Sequence, residues 1–342
     1  MSSIREIARF SGVSPRTVSN ILHGRTAVIK PGTRERVLNA MRELNYAPRP
    51  LLPRPDAVTL KTIGVAFTHV DAYIMPVLEG ILSHLEMSAW SLMTVNHRDW
   101  EDVHQSLRVY CDGRVAGLIV IDPSTHLRLP TALEDRNLPF IIVNDETGEP
   151  SAWTVGVDVE SAAQLAVNHL LDLGHRRIAM LRGVWEPVRL DRRYNGFLKA
   201  MSARHVPVVL EWVSVGEYRT ESGYLRTRDL LRLPEPSRPT ALFCANDYIA
   251  VGALQALQEA GIPVPEVMSI VGFDDTSESL RCTPALTTVR RPLKQIGTEA
   301  ANLLIARIEF AVARLRDGSV PVHRELPAQL IVRGSTGPAP QS

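Results

Sequence analysis

Short apolar runs alternate with helical patterns along most of the chain from Lys61 onward. The apolar runs, which are typical of strands buried on both faces, are 63–67, 117–121, 140–143, 177–181, 241–244 and 269–273. Amphipathic helical patterns lie between several of them, at 162–173, 250–260 and 296–313. Strands separated by helices of this length form βαβ units, so the sequence predicts an α/β fold of parallel sheets flanked by helices.

The chain has 342 residues, more than a single hydrophobic core usually serves. Its part from 61 to 335 is long enough for two lobes, and a small ligand would bind between them at the carboxyl ends of the strands. Polar and aromatic side chains stand close to these ends, namely Asp71, Tyr73, Asn144, Arg193, Asn246 and Asp274. Carboxylates and amides that pair with hydroxyls, an arginine fork and a stacking ring suit a sugar. Helix N-capping is an alternative role for Asn246 and Asp274.

The first 47 residues show three short helical patterns. The first ends at Gly12, and the second begins at Ser14 and Pro15, an N-cap followed by proline at the first helical position. Thr33 is expected to cap the third. Two short helices joined by a tight glycine-containing turn form a helix-turn-helix, whose second helix is sized for the DNA major groove. A plain three-helix bundle with a polar outer face fits the same pattern.

The charges are divided unevenly along the chain. The whole chain carries a net charge of +1, but residues 1–55 hold ten basic and three acidic groups, a net of +7, which leaves −6 for the rest. A small basic head on an acidic body indicates that the head alone binds nucleic acid, although a solvated basic surface is the simpler alternative. Arg16 can bond guanine, Asn20 can pair with adenine, and the hydroxyls of Ser14, Thr17 and Ser19 can hold phosphates.

Other classes of protein find little support. Cys111, Cys244 and Cys282 are odd in number and widely spaced, which favours a reducing cytoplasm, and no signal peptide is evident at the N-terminus. No apolar run reaches the roughly 18 residues that a membrane span needs. Catalytic, nucleotide-binding and zinc motifs are absent from the sequence, so we expect neither an enzyme nor a cofactor or metal.

The head resembles the lactose/galactose repressor (LacI/GalR) family of bacterial transcription regulators. The resemblance is carried by 4–8, 11–19, Leu22, 33–37 and 44–46. It implies a homodimer on a pseudo-palindromic operator, with Pro15, Arg16 and Asn20 at the base-reading positions. The full set of residues expected to contact DNA is Ser14, Pro15, Arg16, Thr17, Ser19, Asn20, His23 and Thr33.

The segment that follows the head departs from the family pattern. Relatives have a hinge helix here that inserts a leucine into the minor groove, whereas this chain has Arg49 in place of the usual Asn and prolines at 50, 53 and 55. Prolines remove backbone donors and disrupt a helix, so we predict an extended linker over 48–60. The alternative is that a proline of this segment, or Leu51 or Leu52 in its place, inserts between two base pairs of the minor groove.

The body resembles the same family and, through it, the type I periplasmic-binding-protein fold. The resemblance is carried by 169–178, 193–197, 245–252, 271–275 and 330–336. It implies a first lobe of about 61–158 plus 291–320, a second lobe of about 159–290 plus 321–335, and a tail at 336–342. Arg193, Asn246 and Asp274 match effector-binding positions of the family, and Tyr218 matches a frequent stacking aromatic.

These expectations combine into one functional hypothesis. The chain is expected to be a sequence-specific repressor whose operator affinity changes when a small effector, a sugar, binds between the lobes. A nucleobase effector is the alternative within the same class. A solute-binding protein is the alternative from another class, although the basic head opposes it.

Overall fold

A computed structural model describes residues 4–15, 17–18, 31–43, 61–67, 72–96, 110, 113–121, 138–144, 152–183, 191–312 and 322–341. The chain divides into two compact units, Met1–Pro55 and Asp56–Ser342. The linker predicted over 48–60 lies outside the described residues, as do Arg16, Ser19, Asn20, His23, Arg49, Leu51, Leu52 and Asp71. No helix in the described ranges is long and apolar enough to cross a membrane.

The first unit contains helices α1 (Ile4–Ser11) and α2 (Pro31–Glu43), which contact each other. Ile7, Ala8 and Val37 are buried, as the apolar spacing predicts. These residues belong to the core of the head, together with Val18 and Ala40.

The start of the second helical pattern is confirmed. The backbone N–H of Thr17 donates to Ser14 Oγ at 3.1 Å, so Ser14 is the N-cap, and the helix begins at Pro15. The predicted cap at Thr33 is wrong, because α2 already begins at Pro31 and Thr33 lies inside its first turn. Proline has no N–H that would need a partner there, so a helix can begin on it without a side-chain cap.

The second unit is built from two sheets flanked by helices. Its strands are β1 Thr62–Phe67, β2 Ser91–Asn96, β3 Gly117–Ile121, β4 Phe140–Val143, β5 Thr154–Gly156, β6 Ile178–Gly183, β7 Val213–Gly216, β8 Ala241–Cys244, β9 Ser269–Asp274, β10 Thr287–Arg290, β11 His323–Glu325 and β12 Gln329–Ile331. Its helices are α3 Ile74–Glu86, α4 Val159–Asp172, α5 Arg192–Ala203, α6 Thr220–Leu231, α7 Asp247–Glu259, α8 Ser277–Arg281 and α9 Leu293–Val312.

The two sheets define two lobes. The first has the order β11-β5-β4-β3-β1-β2 and the second the order β12-β10-β9-β8-β6-β7. All the pairings are parallel except that of β10 with β12. Strands β1, β3, β4, β6, β8 and β9 are buried along nearly their whole length, which explains their continuous apolar sequences. The predicted α/β class is confirmed.

Within the part of the chain that the structure describes, the chain passes between the lobes at three places: after β5, after β10 and after β11. The last crossing differs from the expected boundary, which placed 321–335 in the second lobe. His323 pairs with Thr154 of β5, so β11 belongs to the first sheet and the crossing lies between Glu325 and Gln329. Exposed side chains on this three-residue strand leave no apolar pattern that would reveal its sheet.

The segment predicted as a tail at 336–342 packs against the second lobe. The buried His175 ring lies 3.1 Å from the Gly337 carbonyl, and the Ala339 N–H donates to the Leu173 carbonyl at 2.8 Å. Hydrogen bonds from residues far away in the sequence therefore hold 336–339 in place, and the boundary predicted at 336 is wrong.

Candidate effector-binding site

Three of the predicted site residues stand at or just beyond the carboxyl ends of strands. Asn144 directly follows β4, Asp274 is the last residue of β9, and Asn246 comes two residues after β8. All three are buried. Asn144 and Asp274 have φ values of 53° and 106°, so the backbone turns sharply where each strand ends.

Arg193 enters the cleft from the first turn of α5. Asp191 N-caps this helix by accepting the Tyr194 N–H at 3.0 Å, and it forms a buried ion pair of 2.9 Å with Arg182 of β6. The Arg193 guanidinium carbon lies 4.8 Å from the centroid of the Phe273 ring. A buried cation over an aromatic face is an attractive arrangement that orients the guanidinium.

Tyr218 also contacts the Arg193 guanidinium, with its ring centroid 5.7 Å from the guanidinium carbon. Its ring rests against Gly183 at the end of β6, where an added Cβ would come within 2.1 Å of the Tyr218 Cε2 atom. Only glycine leaves room for the ring at this point. The Tyr218 carbonyl accepts the Asn246 side-chain amide at 3.4 Å, which holds the loop.

Arg291 is the cleft residue that sequence reasoning missed. Its guanidinium carbon lies 4.4 Å from the centroid of Tyr73 and 5.6 Å from that of Phe273, and its Nη2 lies 2.5 Å from Asp274 Oδ1. Both charged side chains are almost fully buried, with exposures of 4% and 9%. Arg291 follows β10 directly, so a search for polar residues after every strand, including the weaker ones, would have found it.

Phe273 was also missed as a cleft residue, because its apolar strand led us to treat it only as core. Its ring contacts both arginines. A series of contacts between aromatic rings and guanidinium groups thus links Tyr73, Arg291, Phe273, Arg193 and Tyr218, which we call the cleft column.

Asn246 and Asp274, for which helix N-capping was the alternative role, differ in whether they cap a helix. Asn246 Oδ1 accepts the Ile249 N–H at 2.9 Å, so Asn246 caps α7 as well as standing at the cleft. Asp274 caps no helix, since Thr276 holds the N-cap position of α8. In both residues a side-chain oxygen is already engaged within the protein.

Asp247 stabilises the backbone turn that carries Asp274. Its fully buried carboxylate accepts the Thr288 hydroxyl at 2.6 Å and the Thr276 N–H at 2.7 Å. Burial, and then the charge of Asp274, raise the pKa of Asp247 to about 7. Asp247 therefore holds the turn that carries Asp274. A carboxyl group with this pKa exchanges between its protonated and ionised forms near pH 7.

Asn144 differs from these residues because both polar atoms of its buried side chain lack a hydrogen-bond partner among the described residues. Gly156 faces it, with its notional Cβ 3.1 Å from Asn144 Oδ1. A buried amide in this condition suits a ligand that both donates and accepts hydrogen bonds.

A cavity of about 610 Å³ opens beside Arg291 and Asp274. It is lined from the first lobe by Ala72 and Met75, and its size suits a small molecule. The lobes also touch where the Ala72 N–H donates to the Tyr248 hydroxyl at 3.4 Å. Within the described ranges no cluster of three or more His, Cys, Asp or Glu side chains could hold a metal ion.

The head offers fewer described side chains for the predicted DNA interface. Ser14 and Pro15 are exposed and Thr17 is partly so, with the Ser14 and Thr17 hydroxyls 2.9 Å apart. Thr33 is partly exposed on α2.

A head with a capped second helix and a two-lobed α/β body with a buried polar cleft define the class of ligand-responsive DNA-binding regulators. Residues 3–49 match the family model described as bacterial regulatory proteins, lacI family, and residues 167–336 match a periplasmic binding protein-like domain. The HTH-type transcriptional repressor PurR of Actinobacillus pleuropneumoniae serotype 5b is 30% identical over 335 residues, which cover 97% of this chain and 99% of that protein. The chain belongs to the lacI family of DNA-binding transcription regulators.

Solved structures agree with this assignment. A transcriptional regulator CelR–cellobiose complex has a TM-score of 0.73 and 27% identity, covering 98% of this chain and 100% of that one. The Lac repressor dimer bound to operator and the anti-inducer ONPF has a TM-score of 0.70 and 26% identity, covering 98% and 99%.

Proposed function

We propose that this protein is a transcriptional repressor that binds a pseudo-palindromic operator as a homodimer and responds to a purine-type nucleobase in the cleft. The observation that carries the choice of effector is the cleft column, in which three aromatic rings alternate with two buried guanidinium groups. Flat rings stack on aromatic and guanidinium faces, and guanidinium N–H groups donate to ring nitrogen and carbonyl acceptors.

The expected sugar effector has less support than the nucleobase. Sugar recognition needs carboxylate and amide oxygens that are free to accept paired hydroxyls. Here Asp274 Oδ1 is paired with Arg291, and Asn246 Oδ1 caps α7. The similarity to repressors named PurR supports the same choice.

A sugar remains the second candidate because of Asn144. Its buried amide has no hydrogen-bond partner among the described residues, and a hydroxyl could both donate to it and accept from it. The similar regulator solved in complex with cellobiose supports this candidate.

Operator binding is assigned to side chains of the head. We assign phosphate contacts to Ser14, Thr17 and Ser19 and base reading to Pro15, Arg16 and Asn20. A homodimer places two heads on two half-sites, which matches a two-fold operator, and the similar Lac repressor dimer on its operator supports this arrangement. The effector then shifts operator affinity by the difference in its affinity for the two lobe arrangements.

The test is a calorimetric titration of the full chain with hypoxanthine, guanine and adenine, alongside ribose and cellobiose. We expect a purine base to bind and the sugars to give no heat. A thermal-shift measurement is an independent readout, because a ligand at 100 times its Kd adds about 2.7 kcal/mol to the free energy of unfolding. Binding of a sugar but of no base would overturn the nucleobase assignment and favour the second candidate.

A further inference from the structure

Tyr248 lies in the first turn of α7 and contacts the opposite lobe. Its hydroxyl accepts the backbone N–H of Ala72 at 3.4 Å, and the two residues are 176 positions apart in the sequence. Helix α7 packs against β9 of the second sheet, whereas Ala72 directly precedes Tyr73 of the first lobe. Because the donor and the acceptor belong to different lobes, this hydrogen bond persists only while the lobes keep their present spacing.

The first turn of α7 is held within the second lobe by the two residues that precede Tyr248. Asn246 caps the helix by accepting the Ile249 N–H at 2.9 Å. Asp247 is fully buried, and its carboxylate accepts the Thr276 N–H at 2.7 Å. Movement of the first lobe would therefore lengthen the hydrogen bond of Tyr248 rather than shift α7.

The residue that Tyr248 contacts borders the candidate effector site. Ala72 lines the cavity of about 610 Å³ together with Asp274 and Arg291. The next residue, Tyr73, is buried, and its ring centroid lies 4.4 Å from the Arg291 guanidinium carbon. The hydrogen bond to Tyr248 thus joins the second lobe to the segment that places an aromatic ring of the cleft column.

We propose that Tyr248 is a positioning residue for the effector: its hydroxyl joins Ala72, and with it Tyr73, to the second lobe and thereby slows the release of a ligand bound between the lobes. A ligand enclosed by two lobes leaves when they separate, and their separation must break this hydrogen bond. The inference rests on the proposed effector site and adds to it a residue at the lobe boundary.

The direct test is hydrogen–deuterium exchange of the ligand-free chain, followed by mass spectrometry of overlapping peptides that isolate the Ala72 amide. Tyr248→Phe keeps the ring and removes the hydroxyl that accepts the Ala72 N–H. Exchange at Ala72 should then accelerate by roughly twofold to tenfold, while peptides from the core of the second lobe exchange as in the wild type. A purely structural role of Tyr248 within its own lobe would give faster exchange in α7 and no change at Ala72.

The second measurement is the dissociation rate of hypoxanthine, followed by stopped-flow displacement from the full chain. Tyr248→Phe should raise this rate by roughly twofold to tenfold, because one hydrogen bond that opposes lobe separation is lost. The association rate should stay nearly unchanged, since the hydrogen bond forms only after the lobes have come together.

Tyr224→Phe is the matched control. The Tyr224 hydroxyl, on α6, donates to Glu259 of α7 at 2.6 Å, so this hydrogen bond reaches the same helix but stays within the second lobe. The same substitution there should leave exchange at Ala72 and hypoxanthine dissociation at wild-type values. Both variants keep their aromatic ring, and thermal unfolding checks that both are folded.

The outcomes separate the inference from the proposed function. Unchanged exchange at Ala72 in Tyr248→Phe overturns the inference, whatever the ligand. Faster exchange at Ala72 with an unchanged hypoxanthine dissociation rate also overturns it, because the hydrogen bond would then not retain the ligand. Absence of hypoxanthine binding to the wild-type chain overturns the proposed effector, and the exchange measurement alone then decides the inference.

Discussion

The carboxylate of Asp247 accepts the backbone N–H of Thr276 at 2.7 Å, two residues beyond Asp274. A second hydrogen bond, from the Thr288 hydroxyl, ties the same carboxylate to β10. Asp274 and Asp275 both have left-handed backbone conformations, with φ values of 106° and 57°, so this turn needs such support. A buried acid therefore maintains the backbone on which the Asp274–Arg291 pair depends.

Asp247 makes stability depend on pH with a defined sign. Burial and the neighbouring Asp274 raise its pKa from 3.8 to about 7 in the folded protein. In the window between these values the folded state holds a proton that the unfolded state has released, so the free energy of unfolding falls as pH rises toward and through about 7. Thermal unfolding of the wild-type chain and of Asp247→Asn at about pH 5 and about pH 8 measures the effect.

The expected result is a relative loss of wild-type stability at the higher pH, because the amide of the variant does not titrate. The variant is also expected to be less stable than the wild type at low pH, since its amide group cannot accept both the Thr276 and Thr288 donors as the carboxyl group does. Parallel pH profiles for the two proteins would contradict the assignment.

Replacement of Arg193 by Ala is expected to weaken effector binding by roughly tenfold or more. The substitution removes the guanidinium that contacts both Phe273 and Tyr218 and, with it, cation–π contacts that are each worth about 0.5–2 kcal/mol. Calorimetry with the bound base measures the loss. Arg192→Ala is the control, because Arg192 is the preceding residue of α5 and is only partly buried. Equal affinities for wild type and Arg193→Ala would show that the ligand binds elsewhere.

Replacement of Gly183 by Ala is expected to displace the Tyr218 ring. The new Cβ would lie 2.1 Å from Tyr218 Cε2, far inside van der Waals contact, so overpacking should cost about 1–3 kcal/mol and weaken effector binding. Tyr218→Ala removes the ring that the new Cβ would contact. A double-mutant cycle of Gly183→Ala and Tyr218→Ala therefore tests whether the two positions are coupled. Additive losses in the cycle would mean that Gly183 acts through some other contact.

Operator binding is expected to collapse in Arg16→Ala. Loss of a guanine contact costs about 1–3 kcal/mol and relaxes specificity at that base pair, whereas affinity for unrelated DNA falls less. Fluorescence anisotropy with operator and with unrelated DNA at one salt concentration measures both effects. Unchanged thermal unfolding and effector binding are the controls, and undiminished operator affinity would remove Arg16 from the reading set.

Local sequence patterns predicted the elements that have strong local signals. Strands such as β1 and β3 are buried on both faces, so their apolar runs are continuous and easily recognised. The exposed three-residue strand β11 has no such signal, and its pairing with β5 depends on residues about 170 positions away. The linker and much of the second helical pattern lie outside the described residues, so those predictions stay open.

The sequence by itself determined the class of fold, because the alternation of apolar runs and helical patterns depends on local periodicity and residue type. The place of the effector site at the strand ends stays a prediction. Only the tertiary structure decided which partners those side chains have. Tyr73, Asp274 and Arg291 come from three separate segments, and their contacts exist only because two sheets and a crossing segment meet. The pairing of Asp274 with Arg291 is such a contact, because it joins the end of β9 to the residue that follows β10.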